Sequence, residues 1–187
     1  MDSPPAKVVL WVGPKHSGKT TALARLVEAA TGRGFAVAGL LAPAIYRDDL
    51  LAGFDAVDVA TGRSRPLARW VEGGEGDAGR FTFHPDGLDF GRAALGADAV
   101  RSAALVVVDE FGPLELRGAG WRVAVDGLLA ISTGTVLLVV REELSDDVAR
   151  LYARWAPQRV AAGDAQAIDR VLKLLGQGPT VADHPDE

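Results

Sequence analysis

The sequence predicts an α/β domain of three layers (αβα), in which helices cover both faces of a mostly parallel central sheet. Short, continuous apolar runs alternate along the chain with stretches whose apolar residues recur every three or four positions. Such runs are typical of strands that are buried on both faces, and the alternation is typical of helices packed over a parallel sheet. A length of 187 residues, 48% of them hydrophobic, is sufficient for one such domain.

The first predicted elements are a strand, a turn, a helix and a second strand. The apolar run 7–12 predicts the strand, and Gly13 ends it. From Gly18 onward the apolar residues follow helical spacing until Gly32. The run 36–41 stops before Pro43 and predicts the second strand of a βαβ unit.

The stretch 45–80 predicts a β-hairpin inserted into this domain. Residues 53–59 alternate between apolar and polar, residues 61–64 have turn chemistry, and residues 65–70 can return as the partner strand. The glycine-rich residues 73–77 predict a loop, and residues 80–83 predict a further strand.

The second half of the chain continues the alternation and ends in a polar tail. We predict helices near 90–100, 123–131, 146–155 and 165–175, and strands at 104–108, 135–140 and 159–161. The four tryptophans are scattered, which favours packing over base stacking, and Trp11 is expected in the core. The domain is therefore expected to span residues 1–175, and the acidic residues 176–187 to form a disordered tail.

The composition excludes several classes of protein. The chain has 20 Lys and Arg against 25 Asp and Glu, and the net charge of −5 argues against a nucleic-acid binder or a protein of anionic membranes. Because there are 0 Cys, disulfides, thiolate metal sites and a cysteine nucleophile are excluded. No targeting segment and no apolar run of membrane-spanning length is present, so we expect a cytoplasmic location.

Residues 13–20 match the phosphate-binding motif G-x-x-x-x-G-K-[ST], known as the P-loop or Walker A motif, between a predicted strand and a predicted helix. Backbone N–H groups of such a turn converge with the helix N-terminus on one concavity and can hold a di- or triphosphate. We expect Lys19 to contact the β- and γ-phosphates and the Thr20 hydroxyl to bind Mg²⁺. The predicted nucleotide-binding residues are Gly13, Pro14, Lys15, His16, Ser17, Gly18, Lys19, Thr20 and Thr21.

Asp109 and Glu110 directly follow the strongly apolar predicted strand 104–108. Ligands of parallel sheets bind beyond the carboxyl ends of the strands, so we expect this pair to face the P-loop. Asp109 is the predicted second Mg²⁺ ligand, as in a Walker B segment. Glu110 is the predicted catalytic group that orients or deprotonates the attacking water.

Three blocks of the chain resemble the small P-loop nucleoside triphosphatases related to human cancer-related nucleoside triphosphatase and its thermophile counterparts. The blocks are residues 13–21, the G-F-D-A-V-D-V-A-T-G run at 53–62 and the D-E-F-G-P-L-E-L run at 109–116. Their order and spacing match over most of residues 7–175. The resemblance implies a compact αβα domain that hydrolyses nucleoside triphosphates with Mg²⁺, loose base selectivity and slow turnover. Nucleotide-kinase-like activity among its members leaves phosphotransfer open.

One glutamate and several arginines remain to be assigned. Glu115 matches a glutamate of the resembled family, and both catalysis and a helix-start carboxylate are open for it. An arginine is expected to stabilise charge on the γ-phosphate. Arg80, Arg47 in the loop after the second strand, and Arg141 are candidates, and we assign the role to Arg141 because it ends a strand at the nucleotide edge.

We therefore predict a Mg²⁺-dependent nucleoside-triphosphate hydrolase that acts on ATP, GTP or other nucleotides with broad base specificity. A guanine-specific switch is excluded, because the chain has no asparagine for the N-K-x-D motif. One alternative is a P-loop kinase acting on a nucleoside or small acceptor, for which the 45–80 insertion can supply a pocket or a lid. Another is a nucleotide-dependent adaptor that resembles the P-loop proteins of molybdenum-cofactor assembly, and Glu110 argues against it. The preferred base, the acceptor, protein partners and the oligomeric state remain open.

Overall fold

The computed structural model of the chain describes residues 6–71 and 81–176. The strands in these ranges are β1 (Lys7–Gly13), β2 (Val37–Leu41), β3 (Ala44–Arg47), β4 (Leu50–Asp58), β5 (Ser64–Trp70), β6 (Phe81–Phe83), β7 (Leu105–Val108), β8 (Thr135–Arg141) and β9 (Gln158–Ala161). The helices are α1 (Lys19–Gly32), α2 (Pro85–Ala94), α3 (Ala97–Val100), α4 (Pro113–Leu116), α5 (Arg122–Ile131), α6 (Ser145–Leu151) and α7 (Ala167–Leu175).

The described strands form one sheet in the order β6-β5-β4-β2-β7-β8-β1-β9, with β3 paired to β4. The five strands β2, β7, β8, β1 and β9 run parallel. The strands β4, β5 and β6 extend this parallel sheet by antiparallel pairing at one side.

Side chains on alternate positions of the parallel strands pack into two separate cores. Val8 and Leu10 of β1 belong to the core under α2, α3, α5 and α6, whereas Val9 and Trp11 belong to the core under α1 and α7. Trp11 is completely buried, as predicted. Because each face of the sheet has its own apolar layer and its own helices, the predicted three-layer αβα fold is confirmed.

The stretch 45–80 contains the predicted hairpin as β4 and β5. The hairpin is not a separate insertion, because its strands are part of the central sheet. Strand β4 pairs with β2, with Leu40 opposite Asp58. The short strand β3 was not predicted, and it turns into β4 through Asp48 and Asp49, which both have positive φ. Arg47 therefore lies in a strand rather than in a loop, and its side chain is exposed.

Two helices that the sequence predicts as continuous are each divided in the structure, and the first begins earlier than predicted, at Pro85. The predicted helix near 90–100 is two helices, α2 and α3, because the backbone of Gly96 is extended between them. The predicted helix 146–155 ends as α6 at Leu151, and a separate 3-10 turn covers Ala153–Trp155.

Parts of three predictions lie outside the described residues: the loop 73–77, the position of Arg80, and the tail from residue 177 onward. Within the described ranges, no helix combines the length and the apolar character that crossing a membrane requires.

Candidate functional site

Four parallel strands end at the same edge of the sheet, and the predicted site residues follow these ends. Gly13 ends β1 and lies opposite Arg141, which ends β8. Asp109 follows β7, and Ala42 follows β2. Chain segments that are far apart in sequence therefore meet beyond the carboxyl ends of the strands, where parallel sheets bind ligands.

The P-loop segment, residues 13–20, is a tight turn into the N-terminus of α1. The Ser17 N–H donates to the Pro14 carbonyl oxygen at 3.3 Å, and Gly18 has a φ of 79°. A Cβ added to Gly13 would lie 3.0 Å from Ser17 Oγ, so glycine lets the turn close over the strand end. The turn is exposed from Pro14 to Gly18, and its backbone is accessible to a phosphate chain.

Lys19 is held at the base of this turn. Its side chain is buried, its Nζ donates to the Pro14 carbonyl oxygen at 2.8 Å, and Trp11 Nε1 donates to the Lys19 carbonyl oxygen at 3.3 Å. Burial lowers the pKa of Lys19, while the nearby carboxylates of Glu110 and Asp109 act in the opposite direction. The ammonium group is therefore close to both acidic groups that follow β7.

Asp109 is a buried carboxylate that contacts the start of α1. It accepts hydrogen bonds from the Thr20 hydroxyl and, at 3.2 Å, from the Ala42 N–H. Burial raises the pKa of Asp109 to about 6, and these hydrogen bonds limit the rise. The hydroxyl and carboxylate oxygens adjoin each other and are donors of the kind that Mg²⁺ prefers. Among the described residues no group of three or more His, Cys, Asp or Glu could hold a metal ion.

Glu110 pairs with Arg141 across the sheet edge. Arg141 Nε donates to Glu110 Oε1 at 2.7 Å, and the side chains are 25% and 33% exposed, respectively. The peptide bond between Asp109 and Glu110 is cis. Backbone hydrogen bonds on either side, from the Asp109 N–H to Leu40 and from the Phe111 N–H to Val139, fix this segment to β2 and β8. Glu110 is thus held in place but remains accessible to a small reactant.

Glu115 stabilises the segment 112–121, which follows Glu110 and is called the 112–121 loop below. Its carboxylate accepts hydrogen bonds from the Gly112 N–H at 2.8 Å and from the Trp121 N–H at 3.1 Å. The first of these bonds closes a capping box at the start of α4, so the geometry is that of a helix-start carboxylate. Burial raises the pKa of Glu115, and the backbone hydrogen bonds oppose the rise.

A cavity of about 370 Å³ opens beside Asp109 and Glu110. Its walls include Trp121 and Phe54, which the sequence did not identify as site residues. For Phe54, the alternation of apolar and polar residues over 53–59 is the sequence signal that indicates an inward face of β4. For Trp121 there is no such local signal, because its contact with Glu115 depends on how the 112–121 loop folds.

The structure brings together five of the predicted site residues: Lys19, Thr20, Asp109, Glu110 and Arg141. Lys15, His16, Ser17 and Thr21 have exposed side chains around the turn. Arg47 is not among the residues that line the cavity, and Arg80 is not among the described residues. The arrangement can hold a phosphate chain along residues 13–20, with a carboxylate beside its end.

Comparisons with known proteins show the family to which the chain is similar. A family described as NTPase matches residues 8–162. The chain is 33% identical over 176 residues to the nucleoside-triphosphatase THEP1 of Methanothermobacter thermautotrophicus, covering 90% of this chain and 95% of that protein. It is 30% identical over 146 residues to the protein of the same name from Thermofilum pendens, covering 78% and 79% of the two chains.

Two solved structures share the fold. The solution structure of a human cancer-related nucleoside triphosphatase aligns with a TM-score of 0.67 at 20% identity, covering 90% of this chain and 94% of that one. The crystal structure of THEP1 from the hyperthermophile Aquifex aeolicus aligns with a TM-score of 0.69 at 15% identity, covering 91% and 99%.

Proposed function

This chain belongs to the NTPase family of hydrolases, and from this premise we propose that it cleaves nucleoside triphosphates to nucleoside diphosphate and phosphate with Mg²⁺. Family and enzyme class agree with the sequence-based prediction. We further propose one catalytic domain over residues 1–175, broad base specificity, slow turnover and a cytoplasmic location. The absence of asparagine, and with it of an N-K-x-D motif, argues against recognition of guanine alone.

In this proposal the phosphate chain of the nucleotide binds the P-loop segment. The φ of Gly18, the tight approach at Gly13 and the start of α1 at Lys19 support binding by backbone N–H groups. The Lys19 ammonium neutralises charge on the β- and γ-phosphates. Its present contact, the Pro14 carbonyl oxygen, is a neutral acceptor, which a phosphate oxygen can replace with a stronger charge-assisted bond.

Thr20 and Asp109 would hold the magnesium ion. Their adjoining oxygens, and the hydrogen bond between them, fit a hard cation that takes its remaining ligands from water and phosphate. When bound, Mg²⁺ would neutralise negative charge on the phosphate oxygens. The buried Asp109 carboxylate has a raised pKa, so a cation beside it would stabilise its ionised form.

Glu110 is the proposed catalytic base, and its position carries the assignment to hydrolysis. The carboxylate lies near Lys19, and a nucleotide-dependent adaptor does not require a base beside its phosphate site. Glu110 accepts a proton from a water molecule whose oxygen forms a bond to the terminal phosphorus. The bond from that phosphorus to the nucleoside diphosphate breaks, and the diphosphate leaves with the electron pair. Arg141 orients Glu110 through the 2.7 Å hydrogen bond and adds positive charge at the terminal phosphate.

Phosphate release from a panel of nucleoside triphosphates, with Mg²⁺ or with excess chelator, tests this proposal. We expect release from several nucleotides with Mg²⁺ and loss of release with chelator. The absence of release from every nucleotide, together with nucleotide binding measured by calorimetry, would favour the adaptor. Release from one base only would contradict broad specificity but not hydrolysis.

A further inference from the structure

The cavity beside Glu110 extends away from the P-loop segment. It touches the nucleotide edge at Thr20, Asp109, Glu110 and Arg141. From there it runs toward the antiparallel side of the sheet, where its walls come from β4, β5, β6, α2 and the 112–121 loop. The larger apolar side chains in its walls are those of Phe54, Leu67, Phe83, Leu88, Leu114 and Trp121.

Apart from Thr20, Asp109, Glu110 and Arg141 at its mouth, this cavity lies outside the proposed phosphate site. Residues 13–19 do not line it, and the strand order puts β7, with Glu110 at its end, between β1 and the strands β4 and β5. A phosphate chain that follows residues 13–20 therefore reaches the mouth of the cavity only with its terminal group. A second molecule in the cavity would meet that terminal phosphate from the other side.

The walls favour a ligand with an apolar ring system. Phe54, Phe83 and Trp121 provide aromatic surface, and Leu67 and Leu88 provide aliphatic surface. The volume of about 370 Å³ is in the range of small-molecule sites.

The cavity has few polar side chains, and most of them already form hydrogen bonds or ion pairs within the protein. The Glu115 carboxylate already accepts two backbone N–H groups, and Arg92 is paired with Asp89 at 2.8 Å. Glu110 has one oxygen bonded to Arg141, and its carboxylate can still accept another hydrogen bond. The best-placed acceptor for a ligand hydroxyl is therefore at the mouth, next to the terminal phosphate.

We propose that this cavity binds a small aromatic alcohol whose hydroxyl contacts Glu110 and accepts the terminal phosphoryl group of the nucleotide. The inference rests on the proposed function, since it uses the same nucleotide and the same base. The alcohol oxygen forms a bond to the terminal phosphorus, and its proton passes to Glu110. The bond to the nucleoside diphosphate breaks with the electron pair on the diphosphate, so the products are an aryl-alkyl phosphate and the diphosphate.

Binding is tested first, on the full-length protein by calorimetry without nucleotide. The probes are benzyl alcohol, 2-phenylethanol, tryptophol and 3-ethylindole, the last of which has the ring of tryptophol but no hydroxyl. Leu88→Trp places a ring inside the cavity and is expected to weaken binding at least about tenfold. Val123→Trp is the matched control, because Val123 is 78% exposed and lies outside the cavity. Thermal melting of both variants shows whether they fold.

Transfer is tested second, by mass spectrometry after incubation with a nucleoside triphosphate and Mg²⁺. We expect a phosphorylated product from at least one alcohol, none from 3-ethylindole, and less free phosphate when that alcohol is present. The inference is overturned if no alcohol binds, if folded Leu88→Trp binds as tightly as Val123→Trp, or if a bound alcohol is never phosphorylated while hydrolysis proceeds. Alcohol binding with neither hydrolysis nor transfer would refute the proposed function, and with it the transfer step that rests on it.

Discussion

Glu115 is expected to contribute strongly to stability, because its carboxylate is the acceptor for two backbone N–H groups inside the protein. Only 5% of the residue is exposed, and its partners are the N–H groups of Gly112 and Trp121, at 2.8 and 3.1 Å. Glu115→Ala leaves both donors without an acceptor, at about 1–3 kcal/mol each, so the free energy of unfolding should fall by roughly 2–6 kcal/mol. Glu115→Gln keeps one acceptor oxygen and should lose about half as much.

Thermal denaturation followed by circular dichroism measures this effect. For a chain of this size, about 2–4 °C is lost per kcal/mol, so Glu115→Ala should melt roughly 4–24 °C below the wild type. The matched control is Glu28→Ala, which removes an exposed carboxylate from α1 and should change the melting temperature little. If Glu115→Ala melts together with Glu28→Ala, the two hydrogen bonds do not stabilise the 112–121 loop and the reasoning is wrong.

Three further predictions concern stability, binding and pH. A Cβ at Gly39, whose φ is +112°, would lie 2.1 Å from a backbone oxygen of β7, whereas a Cβ at Gly127 in α5 meets nothing within 4 Å. Gly39→Ala should therefore lower the free energy of unfolding by about 2 kcal/mol or more, and Gly127→Ala should raise it by up to about 1 kcal/mol. Urea denaturation measures both changes, and equal midpoints for the two variants would contradict this prediction. Lys19→Ala should weaken nucleoside-triphosphate binding roughly 10- to 100-fold, as measured by calorimetry. Lys173→Ala, which removes an exposed lysine from α7, is the control and should leave the affinity unchanged. Unchanged affinity in Lys19→Ala would refute the P-loop assignment. Because burial raises the pKa of Glu115, the folded state binds the Glu115 proton more tightly than the unfolded state does. The stability advantage of the wild type over Glu115→Gln should therefore be largest below the ordinary glutamate pKa and shrink as pH rises from that value through the raised pKa, and a constant difference would contradict this.

The parallel sheet and its P-loop segment could be predicted because their signals are local. A strand that is buried on both faces is apolar along most of its length, so β1, β7 and β8 can be recognised in the sequence as continuous apolar runs. The turn from Gly13 into α1 has a fixed spacing, and Asp109 and Glu110 directly follow a strand. The residues that determine each of these features lie close together in the sequence, so a local pattern is sufficient to predict it.

The remaining features depend on how distant segments pack. Strand β3 has four residues, is partly exposed, and turns through two aspartates instead of the more typical Asn-Gly, so its local signal is weak. The Glu110–Arg141 pair joins residues 31 positions apart and requires β7 and β8 to be neighbours. The cavity needs β4, β5 and α2 to fold over the strand ends, and no local pattern encodes this arrangement.

The rate of phosphate formation in a single turnover, compared between the wild type and Glu110→Gln at saturating nucleoside triphosphate and Mg²⁺, tests hydrolysis at this site most directly. Glutamine keeps the shape of the side chain and an oxygen for Arg141 but cannot accept the proton of the attacking water. We predict a rate at least about 100-fold lower in Glu110→Gln, with nucleotide affinity retained. Glu142→Gln, which changes an exposed carboxylate just beyond β8, should react at the wild-type rate. Equal rates in the wild type and Glu110→Gln would contradict the proposal that Glu110 is the catalytic base.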